Sequence, residues 1–424
     1  MTDRVKRPTL GRPSRRQVLA SAGGAAVAVT GFPYVSVAQN KPIKIGMPTI
    51  LSGRVAQLGV SSRNAAQLEV DKFNAAGGLG GRPIELIVRD SKGKPEEAAS
   101  VSRAMINTDG CDFLIDAEAS GASFAVQEVV RDLKVFCVHT CSETTSLTAD
   151  PKIRLPTVAR TARIGIHDAI VSGAYAGGVA KANGLKTWMS CSPDYAYGRD
   201  NTNLFLEYLK RFNPDVEVIG ETWPKLFQAD YTENVTKILQ TKPQAVYSAL
   251  WGGDLTSFID QSSIYNLFGQ TTLFGINMAD YTTLTAVKNL PAGIHSATRY
   301  IKTYPATPDN AAWADAYQAK FKDLPTNWSW ENAVAMQLVI QAMQKTNSSD
   351  GAKLAEAVRG MTLKSPFGAD GTVKIRESDG QLINYAIGWG QTIQKDPYVK
   401  DVTGGDWKTI LELEAEWMKK MNFA

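Results

Sequence analysis

Residues 43–90, IKIGMPTILSGRVAQLGVSSRNAAQLEVDKFNAAGGLGGRPIELIVRD, decide the fold. The mostly apolar segments 43–47 and 84–88 predict two buried strands, and residues 61–75 predict a helix between them. The helix would carry its apolar stripe on Ala65, Leu68, Val70 and Phe73. The glycine run 77–81 ends this helix, because glycine accepts the left-handed turn that follows a helix. A strand–helix–strand unit of this kind is typical of a parallel sheet covered by helices.

The same alternation continues along most of the chain and appears in two successive runs. In the first run we predict helices at 95–108 and 120–133 and strands at 113–115 and 135–138. The second run predicts helices at 165–182, 199–212, 231–240 and 254–267, and strands at 187–191, 216–221, 245–249 and 272–274. Later residues predict helices at 309–322, 330–345, 351–360 and 406–421, with short strands flanking Asp379-Gly380. Two runs indicate two doubly wound α/β lobes with a cleft between them, where ligands bind beyond the carboxyl ends of the strands.

The first 38 residues have the layout of an export signal. Basic residues lead into Ser14-Arg15-Arg16-Gln17-Val18-Leu19, a mildly apolar stretch covers 20–29, and Ser36-Val37-Ala38 forms a small-x-small cleavage site. The paired arginines favour a twin-arginine signal, with an ordinary Sec signal and a chance Arg pair as the alternative. We therefore expect a cleaved signal over 1–38 and a mature protein in the periplasm.

The charge balance argues against nucleic acid or a lipid surface as the partner. Residues 1–38 hold six of the 46 Lys and Arg residues and one of the 42 Asp and Glu residues, which leaves 40 basic and 41 acidic residues. No basic stripe or polybasic cluster follows Ala38. No later apolar run is long enough to span a bilayer, so we expect a soluble mature chain.

Motifs for catalysis, cofactors and metals are missing from the sequence. Glycines 77–81 follow a helix and open a strand, whereas a phosphate-binding loop follows a strand and opens a helix. There is no Gly-x-Ser-x-Gly, His-Glu-x-x-His or Cys-x-x-Cys, and the three histidines are isolated. Four cysteines leave disulfide pairing open, although Cys111 and Cys137 fit buried strand thiols. We expect no enzyme, cofactor or metal site; a secreted hydrolase that uses the plentiful carboxylates is a weaker alternative.

Several short segments resemble a known family. They are Ile45-Gly46 to Leu51-Ser52-Gly53, the run NAAGGLGGRPIE at 74–85, Arg89-Asp90, Asp194-Tyr195-Ala196-Tyr197-Gly198, Ser365-Pro366-Phe367-Gly368 and Ser378-Asp379-Gly380-Gln381. In this order they resemble the periplasmic solute-binding proteins of branched-chain amino-acid-type ABC transporters, the Leu/Ile/Val-binding-like proteins with the type I periplasmic binding fold. The resemblance covers about residues 41–395.

The resemblance implies two lobes joined by three hinge strands and closing on a ligand. Lobe 1 would comprise 41–162 plus 299–382, and lobe 2 would comprise 163–298 plus 383–424. The chain would cross near 161–163, 297–299 and 381–383. The implied function is solute capture for a membrane ABC permease, by a monomer; a sensory receptor that hands its closed form to a signalling partner is the alternative.

In lobe 1 the resemblance implies three ligand contacts, and the sequence places a fourth candidate beside them. Ser120 matches a serine that begins a helix and donates to a ligand carboxylate, and it also suits a helix N-cap. Cys141 and Glu143 match the positions of a backbone donor and a threonine hydroxyl. Glu118, two residues before Ser120, adds an acid to the same rim.

In lobe 2 the implied contacts are aromatic rings and an amide. Tyr197, with Tyr195 nearby, and Trp251 match aromatic positions beside the ligand. Asn277 matches the glutamate that holds the ligand ammonium. Trp328 and Trp330 begin a helix near the expected cleft.

Two of these positions depart from the family pattern, because Glu143 replaces a carboxylate-binding threonine and Asn277 replaces the ammonium-binding glutamate. Either the ligand presents an amine or hydroxyls to lobe 1, with cation–π contacts from the aromatic residues, or Glu143 pairs with an arginine such as Arg160 or Arg163. In the second case Ser120 and backbone donors would hold a carboxylate. A third possibility places Glu143 on a solvent-facing loop. The predicted ligand is an amino acid or a related amine- or carboxylate-bearing compound.

Overall fold

A first sheet of parallel strands begins the structure, a computed structural model that describes residues 41–423. Its strands are β1 (Ile43–Thr49), β2 (Ile84–Asp90), β3 (Phe113–Asp116), β4 (Cys137–His139) and β5 (Val158–Arg160). They lie in the order β2-β1-β3-β4-β5, and every neighbouring pair is parallel. The helices between them are α1 (Gln57–Ala75), α2 (Pro95–Asn107), α3 (Ser120–Leu133) and the short α4 (Ser146–Ala149). The export signal predicted over 1–38 lies outside the described residues.

A second, larger sheet follows. Its strands are β6 (Thr187–Cys191), β7 (Glu217–Thr222), β8 (Ala245–Ser248), β9 (Thr272–Gly275), β10 (Ala279–Asp280), β11 (His295–Tyr300), β15 (Gly388–Thr392) and β16 (Val399–Gly404). The order is β16-β15-β11-β9-β8-β6-β7, with β10 paired to β11. Strands from β7 to β11 are parallel, and β15 and β16 are antiparallel additions at one edge. The helices are α5 (Gly165–Asn183), α6 (Ala196–Phe212), α7 (Thr232–Thr241), α8 (Gly252–Ile264) and the short α9 (Tyr281–Leu284), with a 3₁₀ turn at Leu267–Gly269.

The remaining elements complete both halves. They are α10 (Pro308–Phe321), α11 (Asn327–Thr346), α12 (Gly351–Ala357), the strands β12 (Thr362–Lys364), β13 (Thr372–Ile375) and β14 (Leu382–Ile383), and α13 (Trp407–Lys420). Helix α11 packs on α1, where the Ser61 and Thr326 hydroxyls lie 2.8 Å apart. Helix α13 covers α5 and α6, and the Tyr208 hydroxyl donates to the Leu413 carbonyl at 3.2 Å. The α/β class with two lobes, each built on one sheet, is confirmed.

The chain passes between the two sheets three times. It leaves β5 for α5, leaves β11 for α10 and α11, and leaves β14 for β15. A parallel bridge between Arg160 and Gln381 brings two of these passages side by side. The lobe boundaries given above remain a prediction, and these passages lie at or beside the expected crossings.

The centre of the first sheet is packed tightly enough to require a glycine. A β-carbon on Gly46 of β1 would lie 2.8 Å from Leu114 and 2.9 Å from the Met105 sulfur. Ile43, Ile45 and Met47 in the same strand are fully buried. A parallel strand covered by helices on both faces has no solvent-facing side, which explains its apolar sequence.

Helix α1 begins at Gln57, four residues before the predicted start at Ser61. The polar residues Ser61, Ser62 and Asn64 lie inside this helix and are buried. The Ser61 hydroxyl donates to the Gln57 carbonyl at 2.7 Å and contacts Thr326 of the segment that begins α11. Packing against α11 therefore accommodates these polar residues within the helix.

Within residues 41–423, no helix combines the length and the hydropathy that a membrane crossing requires.

Candidate functional site

The carboxyl ends of both parallel sheets face one internal cavity. Residues that follow β3 and β4 line it from lobe 1, and residues that follow β6, β8 and β9 line it from lobe 2. Parallel strands direct all their following loops to one edge, so the two edges supply side chains from many points of the sequence to one place.

The lining residues surround about 450 Å³ of space that no atom fills, open solvent included, and about 30 Å³ of it is wide enough for the centre of a water molecule. From lobe 1 it is lined by Leu58, Ala119, Ser120, Cys141, Glu143, Asn327 and Trp328. From lobe 2 it is lined by Tyr195, Tyr197, Trp251, Gly252, Asn277, Asp280 and Thr282, and Arg299, at an expected crossing between the lobes, completes the lining. Seven of the eight residues that the sequence singled out therefore line the same cavity.

Glu118 is the exception, since it is absent from the cavity lining. Its side chain is fully buried, and neither carboxyl oxygen has a hydrogen-bond partner by the geometry of residues 41–423. Burial and the neighbouring Asp116 raise the pKa of Glu118 well above its usual value, which favours the neutral acid. The structure therefore does not place Glu118 with the other seven residues in the cavity lining, and its contact with the ligand stays a prediction.

The lobe 1 wall is polar. Ser120 begins α3, and its hydroxyl accepts a hydrogen bond from the Thr144 backbone at 3.3 Å. Through this bond Ser120 fixes the loop after β4 that carries Cys141 and Glu143. The Cys141 thiol lies 3.5 Å from the Ser62 hydroxyl and 3.6 Å from the Asn332 amide.

Glu143 is buried and pairs with Arg299. The suggested partners Arg160 and Arg163 are wrong: Arg160 donates to Gln381 and to the Thr144 carbonyl, and Arg163 pairs with Asp168. The solvent-facing alternative for Glu143 is also wrong. The pattern gave Arg299 no binding role, since it was expected only at a crossing between lobes.

Glu143 and Arg299 belong to a larger buried charge cluster, which also includes Arg163, Asp168, Asp280 and Glu331. The Arg299 guanidinium also binds Asp168 at 2.8 Å. Burial alone would lower the pKa of Arg299, but Glu143 and Asp168 outweigh it and hold that pKa well above its usual value. Burial and the Glu143 charge raise the pKa of Glu331 well above its ordinary range.

The other carboxyls of the cluster are held by backbone and amide donors. Asp280 accepts from the Thr282 backbone at 2.9 Å and from the Asn327 backbone at 2.6 Å. Glu331 accepts from the Arg163 backbone at 2.9 Å and from the Asn327 side-chain amide at 3.0 Å. In contrast, Glu143 Oε2 and Arg299 Nε have no hydrogen-bond partner within residues 41–423.

Four aromatic rings form the apolar part of the lining. The rings of Trp251 and Trp328 lie 5.7 Å apart at 73°, and those of Tyr195 and Tyr197 lie 5.9 Å apart at 51°. Trp251 and Tyr195 immediately precede helices α8 and α6, so their positions follow from the strand–loop–helix pattern. Trp328 proves to be a cavity residue, whereas Trp330 is not among the lining residues.

Asn277 positions one of these rings. Its amide nitrogen donates to the Tyr197 hydroxyl at 2.9 Å and to the Leu250 carbonyl at 3.1 Å. The amide thereby fixes the orientation of the phenol and places no formal charge at this point of the wall.

Arg54 connects the two lobes beside the cavity. From the loop after β1, its guanidinium donates to Asp254 at 3.3 Å, to the Gly253 carbonyl at 3.1 Å and to the Ser257 hydroxyl at 2.6 Å. A second connection joins Thr145 to Asp200 of α6, at 2.8 Å from the backbone and 3.0 Å from the hydroxyl. The cavity is therefore flanked by contacts between the lobes.

The four cysteines are buried and unpaired. Over the described range 41–423, no group of three or more His, Cys, Asp or Glu side chains is arranged to hold a metal ion.

Comparisons with known proteins place these features in context. The sequence profile of the family described as "Periplasmic binding protein" matches residues 42–387. The "Leucine-, isoleucine-, valine-, threonine-, and alanine-binding protein" of Pseudomonas aeruginosa is 23% identical over 346 residues, covering 81% of this chain and 89% of that protein. A Leu/Ile/Val-binding protein of Rhizobium johnstonii is 27% identical over 73% of this chain and 81% of its own length.

Two solved structures share the fold. A solute-binding protein of an ABC transporter from Rhodopseudomonas palustris, in complex with 3,4-dihydroxybenzoic acid, matches with a TM-score of 0.77 at 22% identity, over 87% of this chain and 98% of that one. A branched-chain amino acid transporter substrate-binding protein from Streptococcus pneumoniae, in complex with isoleucine, matches with a TM-score of 0.70 at 18% identity, over 86% of this chain and 100% of that one.

Proposed function

Because the chain belongs to the periplasmic binding protein family, we propose that it is the solute-binding component of an ABC importer. It captures an amino acid or a related small compound that bears an amine or a carboxylate, and delivers it to the membrane permease as a monomer. The observation that carries the proposal is the cavity between the carboxyl edges of two sheets, with binding-type side chains from both lobes.

The proposed contacts divide by chemistry between the lobes. Ser120, Cys141 and Glu143 supply polar groups from lobe 1. Lobe 2 supplies Tyr195, Tyr197, Trp251 and Asn277. A few polar groups in a largely apolar lining give orientation while the rings supply contact area. The proposed lobes are 41–162 with 299–382 and 163–298 with 383–424.

Binding by closure follows from this division. A ligand that contacts both lobes stabilises the closed arrangement over the open one, and only this difference in affinity shifts the equilibrium. Moving the population from 1:99 to 99:1 requires about a 10⁴-fold preference for the closed form. The Arg54 and Thr145 contacts between the lobes would form part of that closed state.

We further propose that residues 1–38 direct export to the periplasm and are removed. Mass spectrometry of protein recovered from the periplasm of expressing cells should give a chain that begins at Gln39. Replacing both Arg15 and Arg16 by lysine should block export if the signal is of the twin-arginine type, and should leave export intact for a Sec signal.

The decisive experiment is a thermal-shift screen of the mature protein against amino acids, amines and aromatic acids. Amino acids and aromatic acids are included because a relative is named for binding amino acids and a structural neighbour was solved with 3,4-dihydroxybenzoic acid. A true ligand raises the melting temperature with its concentration, as mass action requires. Calorimetry should then give a saturable affinity, and the ligand should be recovered unchanged. A screen without any hit, or a hit converted to product, would overturn the proposal.

A further inference from the structure

We infer that the solute is an organic cation, an ammonium compound whose positive group sits between Glu143 and the four cavity rings. This inference rests on the proposed function and narrows its ligand class. It depends on three observations: the charge balance of the buried cluster, the one carboxylate oxygen of that cluster without a hydrogen-bond partner within residues 41–423, and the aromatic rings of the lining.

The buried charge cluster contains more acids than bases. Its four carboxyls are Glu143, Asp168, Asp280 and Glu331, and its two guanidiniums are Arg163 and Arg299. All six side chains are at least nine-tenths buried. Buried charge without a counter-charge is costly, so the two excess carboxyls must either hold protons or meet a cation. A cation that enters the cavity replaces a proton on these carboxyls, whereas an anion adds to the excess of negative charge.

One acceptor in the cluster is vacant, and it belongs to a cavity residue. Asp168, Asp280 and Glu331 each accept from two or more donors. Glu143 uses only one oxygen on Arg299, and its Oε2 has no partner within residues 41–423. A buried acceptor without a donor is unfavourable, so a ligand that donates a hydrogen bond or brings positive charge there gains affinity.

The alternative, that the ligand is an anion, depends on Arg299, whose Nε also has no hydrogen-bond partner within residues 41–423. The two terminal nitrogens of Arg299, however, already bind Asp168 and Glu143. Its positive charge is thus compensated twice over. A ligand carboxylate at this point would face Glu143 across a short distance without an unpaired cation to receive it.

The four rings of the lining add a second attraction for a cation. Trp251 and Trp328 are inclined by 73°, and Tyr195 and Tyr197 by 51°. A ring face that borders the cavity attracts a cation through the ring quadrupole. Asn277, which holds Tyr197 in place, adds no charge to this wall.

Pairs of ligands that differ in charge test the inference on the wild-type protein. Choline is compared with its neutral isostere 3,3-dimethylbutan-1-ol, and tyramine with 4-hydroxybenzoate, with leucine as the zwitterion, all by calorimetry. We expect a cation to bind at least about tenfold more tightly than its neutral or anionic counterpart. If neither choline nor tyramine binds, or 4-hydroxybenzoate or leucine exceeds them, the inference is wrong.

Substitutions test the position of the cation. Glu143→Gln should weaken the bound cation about tenfold or more and leave the neutral isostere unchanged, and Trp328→Leu should act in the same direction. Glu412→Gln, on the exposed face of α13, is the matched control and should change neither affinity. Equal loss for the charged and neutral ligands would contradict a cation site at Glu143.

Proton linkage separates a binding role from a structural one. The groups that face Glu143 are Arg299, Arg163, Asp168, Glu331, Tyr195 and Tyr197. Cation binding should release protons from the carboxyls, which calorimetry detects as a buffer-dependent enthalpy, and affinity should rise with pH. Proton uptake would overturn the inference. Binding of amino or aromatic acids alone would leave the proposed function intact, whereas a screen without hits in every class would remove both.

Discussion

At the scale of single residues, Arg299 pairs with two buried carboxylates beside the cavity. It lies on β11 of the second sheet and binds Glu143 of the first lobe and Asp168 of α5. Desolvation offsets much of the attraction in such buried pairs, so they add little net stability over an apolar packing. Removing one partner is different, because the other charge stays buried without compensation.

Arg299→Gln should therefore lower the free energy of unfolding by about 3–5 kcal/mol, since Glu143 and Asp168 lose their shared partner. Chemical denaturation at neutral pH measures this. The control is Arg103→Gln, which breaks an exposed pair with Asp132 and should cost less than about 1 kcal/mol. A similar small loss for both variants would show that Arg299 does not hold the cluster together.

His295 gives a second prediction at this scale. It stacks on Phe274 with ring centroids 4.5 Å apart, and its Nδ1 lies 2.8 Å from the Tyr175 hydroxyl. Burial lowers the pKa of His295 from 6.5 to about 4. Because the folded pKa lies below the unfolded value, its contribution to stability is complete above about pH 6.5 and is lost as the pH falls toward 4.

The melting temperature of the wild-type protein should therefore fall more between about pH 7.5 and pH 5 than that of His295→Gln, because glutamine cannot take up that proton. Thermal unfolding followed by circular dichroism measures the difference. Parallel pH profiles of the two proteins would mean that folding does not shift the pKa of His295.

At the scale of elements, the strand–loop–helix repeat indicated which loops would reach the cavity, and the family resemblance indicated the individual residues in them. Ser120, Trp251 and Tyr195 all stand where a strand has ended and a helix begins, and a parallel sheet brings such points to one edge. The same rule does not predict the direction in which each side chain points. Glu118 has the right position in sequence, but its side chain is buried and is absent from the cavity lining.

The residues that sequence reasoning missed come from other kinds of segment. Arg299 lies inside a strand, and Asp280 caps the short helix α9. Neither position carries a local pattern that distinguishes a ligand-facing charge from a structural one. The available signal was an arginine within the strand 295–300, because a charged residue in a buried strand requires a partner.

The start of α8 provides a test of closure at a single glycine. Gly253 is the second residue of this helix, and a β-carbon there would lie 2.5 Å from the Arg54 carbonyl of the opposite lobe. Alanine is a better helix former than glycine, so Gly253→Ala should leave the ligand-free melting temperature unchanged or slightly raised. The clash arises only when the lobes approach, and affinity should fall about tenfold or more.

Gly178→Ala is the matched control, since Gly178 lies in helix α5 and has open space around its β-carbon. It makes the same change in helix propensity without a contact between lobes, so it should leave affinity unchanged. Undiminished affinity in Gly253→Ala would mean that ligand binding does not require the approach of Arg54 to α8.

At the scale of the whole molecule, the two lobes are tied by three chain passages and by polar contacts on either side of the cavity. The passages are covalent and persist in any arrangement of the lobes. The polar contacts of Arg54 and Thr145 persist only while the lobes are together. The balance between open and closed forms therefore depends on these contacts and on the ligand.

Arg54→Ala tests that balance. The Arg54 side chain is about one-third exposed and binds three groups of α8, namely Asp254, the Gly253 carbonyl and Ser257. Its loss should shift the population toward the open form and speed ligand dissociation roughly fivefold, corresponding to about 1 kcal/mol of net hydrogen bonding. Stopped-flow measures the rate, and small-angle scattering should give a larger radius of gyration in limiting ligand. Arg103→Ala, whose contact stays within lobe 1, should alter neither quantity. Dissociation at the wild-type rate would show that Arg54 rests against α8 without stabilising the closed form.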